Sequence, residues 1–240
     1  MTDVHDHTAT ASPAPLGVTD AAAEITYETS RRNFLGRSGA VLGVAAVGSL
    51  ATLMAACNDI GVTPPVKGKA VVTLPLTSDT DILKFALFLE LLEADFYTKA
   101  VASGVLSGAV ATLATSIRDH EKTHVAALTT ALGTSAFGTA DVAFNFGTSL
   151  ATQGSFLATA QTLEATGVGA YLGALGSIQS RSLRTTAGSI FTIEARHLAA
   201  VRAFNNAPGG PVPAAFETGM TPAAVVAAVV GTGFVTKGLG

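Results

Sequence analysis

The stretch Ile117-Arg118-Asp119-His120-Glu121-Lys122-Thr123-His124 is matched in register by Ile190-Phe191-Thr192-Ile193-Glu194-Ala195-Arg196-His197. Each contains a Glu-x-x-His, and on a helix that i, i+3 spacing places the glutamate and the histidine on one face. Leu128 and Val201 extend the correspondence by another turn, so each polar pair sits inside an apolar stripe that faces a core.

The surrounding chain fits that reading. From Ser78 onward, apolar residues recur at three- and four-residue steps over roughly 79–101, 106–132, 153–175 and 180–204. Ser78, Asp79 and Asp81 offer caps for the first helix, and Gly133 and Gly176 stand where the second and third would stop. Short links between helices 1 and 2 and between 3 and 4 make those pairs antiparallel neighbours. The twenty residues 133–152 form a much longer link. At ~3.3 Å per extended residue they can cross a helix length of ~30 Å. The expected fold is all-α, a four-helix bundle with one long crossover. The tail 206–240 opens on a turn sequence, and Thr221-Pro222 then starts a short helix that covers the bundle.

Helices 1 and 3 supply further acids. After Cys57 the chain has only six glutamates (90, 93, 121, 164, 194, 217) and three histidines (120, 124, 197). Glu90 precedes Glu121 by 31 residues and Glu164 precedes Glu194 by 30. Tyr97 follows Glu90 by seven residues and Tyr171 follows Glu164 by seven, so the two hairpins repeat each other. Four carboxylates facing one core cost several kcal/mol each unless protons or cations neutralise them. Two divalent metals balance four negative charges, with Glu90, Glu121 and His124 assigned to one ion and Glu164, Glu194 and His197 to the other. Two of the glutamates would bridge, and spacing alone leaves open which. Carboxylate and imidazole donors suit iron or manganese. Glu93, one turn beyond Glu90, is a minor alternative or additional carboxylate. Tyr97 and Tyr171 are expected as packing residues whose hydroxyls meet a buried carboxylate, with a redox role as the alternative.

At these six positions the chain resembles the ferritin-like di-iron carboxylate proteins, over about 78–204. The phrase Leu89-Glu90-Leu91-Leu92-Glu93-Ala94-Asp95-Phe96-Tyr97 resembles the bacterial ferritin-like proteins linked to desiccation. The resemblance implies a ferritin-like bundle over 78–205 with a dinuclear centre, two Fe first and two Mn as the alternative. It further implies oxidation of ferrous iron or reduction of dioxygen or peroxide. A manganese catalase resembles the same bundle and is the enzymatic runner-up. A metal clamp without turnover, with apolar helix faces serving homo-oligomer assembly or a partner, is the non-enzymatic one.

His120-Glu121-Lys122-Thr123-His124 also spells the HExxH pattern of zinc proteases. Val125-Ala126-Ala127-Leu128 follows it where an extended metalloprotease pattern wants Gly and His, and a zinc site leaves Glu194 and His197 unexplained. Under the two-metal reading His120 lies one position off the inward face. It is expected at the surface or behind a ligand, and Arg118, Asp119 and Arg196 form a solvated set.

Composition bounds the rest. With 48% hydrophobic and 13% charged residues the chain has ample core, and a net charge of −3 offers no field for nucleic acid. One cysteine excludes an internal disulfide and a Cys-based zinc or iron–sulfur site. The mean hydropathy of +0.46 is unevenly distributed. Residues 1–30 are polar and acidic, and Ser30-Arg31-Arg32-Asn33-Phe34-Leu35 precedes a charge-free run over 39–56. That order resembles a twin-arginine export signal. Leu53-Met54-Ala55-Ala56-Cys57 resembles a lipoprotein cleavage site, with Cys57 the lipidated residue. An ordinary cleaved signal and an uncleaved anchor are the alternatives. The expected organisation is a signal over 1–57, a tether over 58–77, the bundle over 78–205 and a covering segment over 206–240. The protein is thereby expected in the periplasm or cell envelope, held to the membrane by a lipid. Eleven basic and twelve acidic residues follow Cys57, which predicts an unusually apolar surface.

Overall fold

The computed structural model describes residues 70–239, which belong to one compact unit. The signal-like segment with Cys57, and residues 58–69, lie outside the described residues.

Four long helices dominate: α1 (Asp79–Ala102), α2 (Gly108–Leu132), α3 (Gln153–Leu175) and α4 (Arg181–Phe204). The caps anticipated for α1 divide their work. Ser78 is the N-cap and accepts from the Asp81 backbone N–H, while Asp81 accepts in return from Thr77 and the Ser78 hydroxyl. Asp79 instead accepts from the backbone N–H groups of Gln179 and Ser180, tying the start of α1 to the start of α4. Thr152 and Ser155 close a reciprocal capping box on α3. Helix α2 ends at Gly133, whose φ of 55° is left-handed.

The pairs α1·α2 and α3·α4 pack most extensively, as their short links require. Helix α1 is buried on nearly every side, from Ile82 to Ala100, whereas α4 buries only the stripe Ala187, Ile190, Glu194, His197, Leu198 and Val201. The crossover 133–152 contains two single turns of 3-10 helix and the short strand β1 (Ala143–Phe144). The tail supplies α5 (Pro222–Gly231), capped by Thr221, and β2 (Val235–Lys237). Val225 and Val229 bury the inner face of α5 in the core.

The all-α architecture is as expected, and the one short strand pair, β2 antiparallel to β1, satisfies backbone groups of two adjacent non-helical segments. Two expectations need correction. Residues 71 and 72, expected in a tether over 58–77, instead join the fold: the Val71 N–H donates to Gly238 O at 2.9 Å, and Val72 is buried beside Leu239. Apolar Val71 and Val72 are better placed in the core than in a solvated linker. Nor is the surface rich in large apolar side chains. Among the described residues only Leu74, Phe204, Val212 and Phe216 are large and exposed. The low charge is compensated on the outer helix faces by Thr, Ser and Ala. No helix among the described residues is long and apolar enough to cross a membrane.

The core is in two parts. One holds Leu83, Phe88, Leu128, Tyr171 and Ile190, and the other Phe96, Ile117, Phe156, Leu163 and Val201. The division falls mid-helix on all four helices, where the acidic residues are.

Candidate metal centre

Between the two apolar parts lie Glu90, Glu93, Glu121, Glu164, Glu194, His124 and His197, all buried. Each arrives there by helical register. Glu90 and Glu93 come from α1, Glu121 and His124 from α2, Glu164 from α3, and Glu194 and His197 from α4. All six positions singled out from the repeat are brought together.

Their donor atoms form two overlapping sets. Glu90, Glu121, His124 and Glu194 each offer an atom within 4.8 Å of the others, and so do Glu121, Glu164, Glu194 and His197. Glu121 and Glu194 occur in both sets. His124 Nδ1 lies 3.2 Å from Glu90, 3.3 Å from Glu121 and 3.1 Å from Glu194. His197 Nδ1 lies 3.1 Å from Glu121 and 3.4 Å from Glu164.

The tyrosines cross over. The Tyr97 hydroxyl, on α1, donates to Glu164 on α3, and the Tyr171 hydroxyl, on α3, donates to Glu90 on α1. Each hydroxyl thus orients the carboxylate that its own helix does not carry. Burial holds both phenols well above their ordinary pKa, with the adjacent carboxylates adding to it.

The charges are mutually conditioned. Burial pushes Glu90 well above the ordinary carboxyl range, reinforced by Glu194. Burial likewise pushes Glu164 up to about 8, against the pull of His197. Glu121 is also buried, but His124 and His197 outweigh that effect and hold it at about 2. Burial disfavours charge on both imidazoles, yet the facing carboxylates overcome it and raise His124 and His197 to about 12. Without a metal, protons on these groups carry the neutralisation.

Hydrogen bonding does not complete the set. Glu121 Oε1, Glu164 Oε2, both Glu194 oxygens and His197 Nδ1 are buried and make no hydrogen bond. Such groups are normally paired in a folded interior. Five unpaired oxygen and nitrogen donors, converging from three helices, fit divalent cations in an O,N environment.

Two side chains lie differently from expectation. Glu93, read as minor, is buried beside the cluster, although it is a member of neither four-residue set. His120 is exposed but not detached: its Nδ1 is 2.9 Å from His197 Nε2, and the rings stack. An imidazole that binds metal through one nitrogen is oriented by the partner of the other. His120 belongs to neither metal-capable set, so the two histidines of the HExxH string do not share a site. Arg118 and Asp119 pair with each other at 2.8 Å on the surface, and Arg196 is exposed.

Fold and site together define an all-α four-helix bundle with a buried carboxylate–imidazole cluster able to hold metal. The family model of the ferritin-like domain matches residues 78–207, more than half of the chain, and the protein belongs to that family. No curated protein matches the chain.

Proposed function

We propose that this is an exported ferritin-like protein with a dinuclear metal centre, two irons in the first place and two manganese ions as the alternative. The observation that carries the reading is the pair of four-residue sets sharing Glu121 and Glu194, with five of the buried donor atoms lacking hydrogen bonds. Glu90 and His124 would hold one ion, Glu164 and His197 the other, and Glu121 and Glu194 both.

Bound there, redox-active ions supply the electrons for reducing dioxygen or peroxide, or accept them from ferrous iron as substrate. The chain's own residues prepare that chemistry. Apolar layers on both sides of the cluster exclude water, and Tyr97 and Tyr171 orient Glu164 and Glu90. An apolar pocket lined by Ile82, Phe85, Leu89, Ala174 and Ile178 reaches Tyr171 and offers a small uncharged oxidant an approach.

In this reading the twin-arginine segment sends the folded, loaded protein across the membrane and Cys57 takes a lipid. The work is protection of the envelope under oxidative or drying stress, in line with the desiccation-linked branch. Loading before export lets the cell choose among metals whose raw affinities would otherwise decide.

The test is elemental analysis of protein exported by its own host, with its absorption spectrum under peroxide and its turnover of ferrous ion and peroxide. Two Fe or Mn per chain with turnover support the reading. Two ions with no turnover leave a structural clamp, and one Zn per chain that survives His197→Ala overturns the dinuclear centre.

A further inference from the structure

Glu93 breaks the repeat between the two hairpins. Glu90 corresponds to Glu164, so the position corresponding to Glu93 is Gly167. The two meet in the core. A Cβ built on Gly167 would lie 3.4 Å from Glu194 Oε2 and 3.5 and 3.6 Å from the two Glu93 oxygens. Where the repeat would place a second side chain, α3 has none, and the Glu93 carboxylate occupies that side of the cluster next to Glu194.

Glu93 is only 3% exposed. Burial and four other carboxylates, Glu194 and Glu164 foremost, act on it, and no hydrogen-bond donor is among its perturbing neighbours. Glu90 and Glu164 each receive a tyrosine hydroxyl, whereas no side chain among the described residues donates a hydrogen bond to Glu93. A buried carboxylate without a donor is expensive for the fold unless a cation takes that part.

We propose that Glu93 is a seventh ligand of the dinuclear centre, next to Gly167 and beside the Glu121, Glu164, Glu194 and His197 set. The two ions are then held unequally. The ion on the His197 side has one more carboxylate within reach than the ion on the His124 side. Five carboxylates also exceed the charge of two divalent ions, so that side is the better matched to an ion of higher charge.

The inference rests on the dinuclear reading, and one experiment separates the two. The full chain, freed of metal, is titrated with Mn²⁺ alone, with binding followed by calorimetry and by the magnetic resonance signal of free ion. Wild type is expected to bind two ions. Glu93→Gln is expected to weaken one of them by about tenfold or more and leave the other within about twofold. Glu93→Asp, which keeps the charge but withdraws it by one methylene, should weaken the same ion with a carboxylate still present. Circular dichroism of the metal-free variants checks folding, and Glu93→Asp decides if Glu93→Gln fails to fold. Wild-type affinity for both ions in the two single variants overturns the proposal, as does equal weakening of both ions. A wild-type chain that binds no Mn²⁺ overturns the dinuclear reading together with it.

Discussion

His197 Nδ1 lies 3.1 Å from Oε1 of Glu121, on the facing helix, but 3.8 Å from Oε1 of Glu194, one turn away on its own helix. His124 stands 3.1 Å from Glu194 on the facing helix, while its hydrogen bonds go to Glu90 at 3.2 Å and to its own Glu121 at 3.3 Å. Each histidine therefore reaches the glutamate of the other Glu-x-x-His as well as its own. Glu121 and Glu194 both lie within 3.8 Å of each histidine and are the common members of both sets.

Loss of a shared carboxylate should accordingly differ from loss of an outer one. Glu121→Ala and Glu194→Ala are expected to weaken both ions, bringing metal content below about one ion per chain at concentrations that saturate wild type. Glu90→Ala and Glu164→Ala are expected to weaken one ion each by about 10–100-fold. Equilibrium dialysis with elemental analysis distinguishes the patterns, and identical behaviour of all four variants would count against the shared position.

The metal-free protein should lose stability as pH rises. Glu164 keeps its proton up to about 8 and His124 and His197 to about 12. In an unfolded chain the corresponding values are about 4.3 and 6.5. Between these limits the folded state binds more protons than the unfolded one, so stability falls with pH. Glu121, held at about 2, acts in the opposite sense but only below its unfolded value of about 4.3. Melting temperature without metal is expected to decline from about pH 5 to about pH 9, while metal affinity increases because binding displaces these protons. A metal-free melting temperature that rises across this range would contradict the charge arrangement.

Tyr97→Phe and Tyr171→Phe each remove the hydroxyl that meets a buried carboxylate from across the core. Each is expected to destabilise the protein by about 1–3 kcal/mol, the cost of leaving a buried polar group without its partner. Denaturant unfolding measures it. Because the exchange is reciprocal, the two single variants should be similar, and a silent Tyr97→Phe would show that Glu164 is satisfied otherwise.

The tail depends on one helix face without side chains. A Cβ on Gly173 would stand 2.0 Å from the Met220 carbonyl oxygen, and the Met220 N–H donates to Gly169 O at 2.8 Å. Gly173→Ala must therefore displace the tail backbone, with an expected loss of about 1–3 kcal/mol. Limited proteolysis should then cut near Met220 sooner than in wild type. Gly176→Ala, where a Cβ meets nothing within 4 Å, should change stability by less than about 0.5 kcal/mol. Equal effects of the two alanines would place the cost elsewhere.

Much of this was legible in the chain itself. Apolar periodicity locates four helices whose observed ends differ from expectation by two residues at most, and Thr221-Pro222 marks the fifth. Register selects Glu90, Glu121, His124, Glu164, Glu194 and His197, because side chains three, four and seven residues apart share a helical face whatever the partner helix does. The match of Ile117 through His124 to Ile190 through His197 is a property of the sequence alone.

What tertiary packing decided is which faces meet and at what distance. Spacing pairs His197 with Glu194, but only the approach of α2 to α4 brings Glu121 closer. Glu93 looks like a spare acid until Gly167 comes opposite it, and His120 looks like a surface residue until its ring stacks on His197. Val72 reads as linker until Leu239 reaches it. The physical reason is the same in each case. Local periodicity sets the direction of a side chain about its own helix, whereas the neighbours across the core follow from close packing of elements distant in the chain.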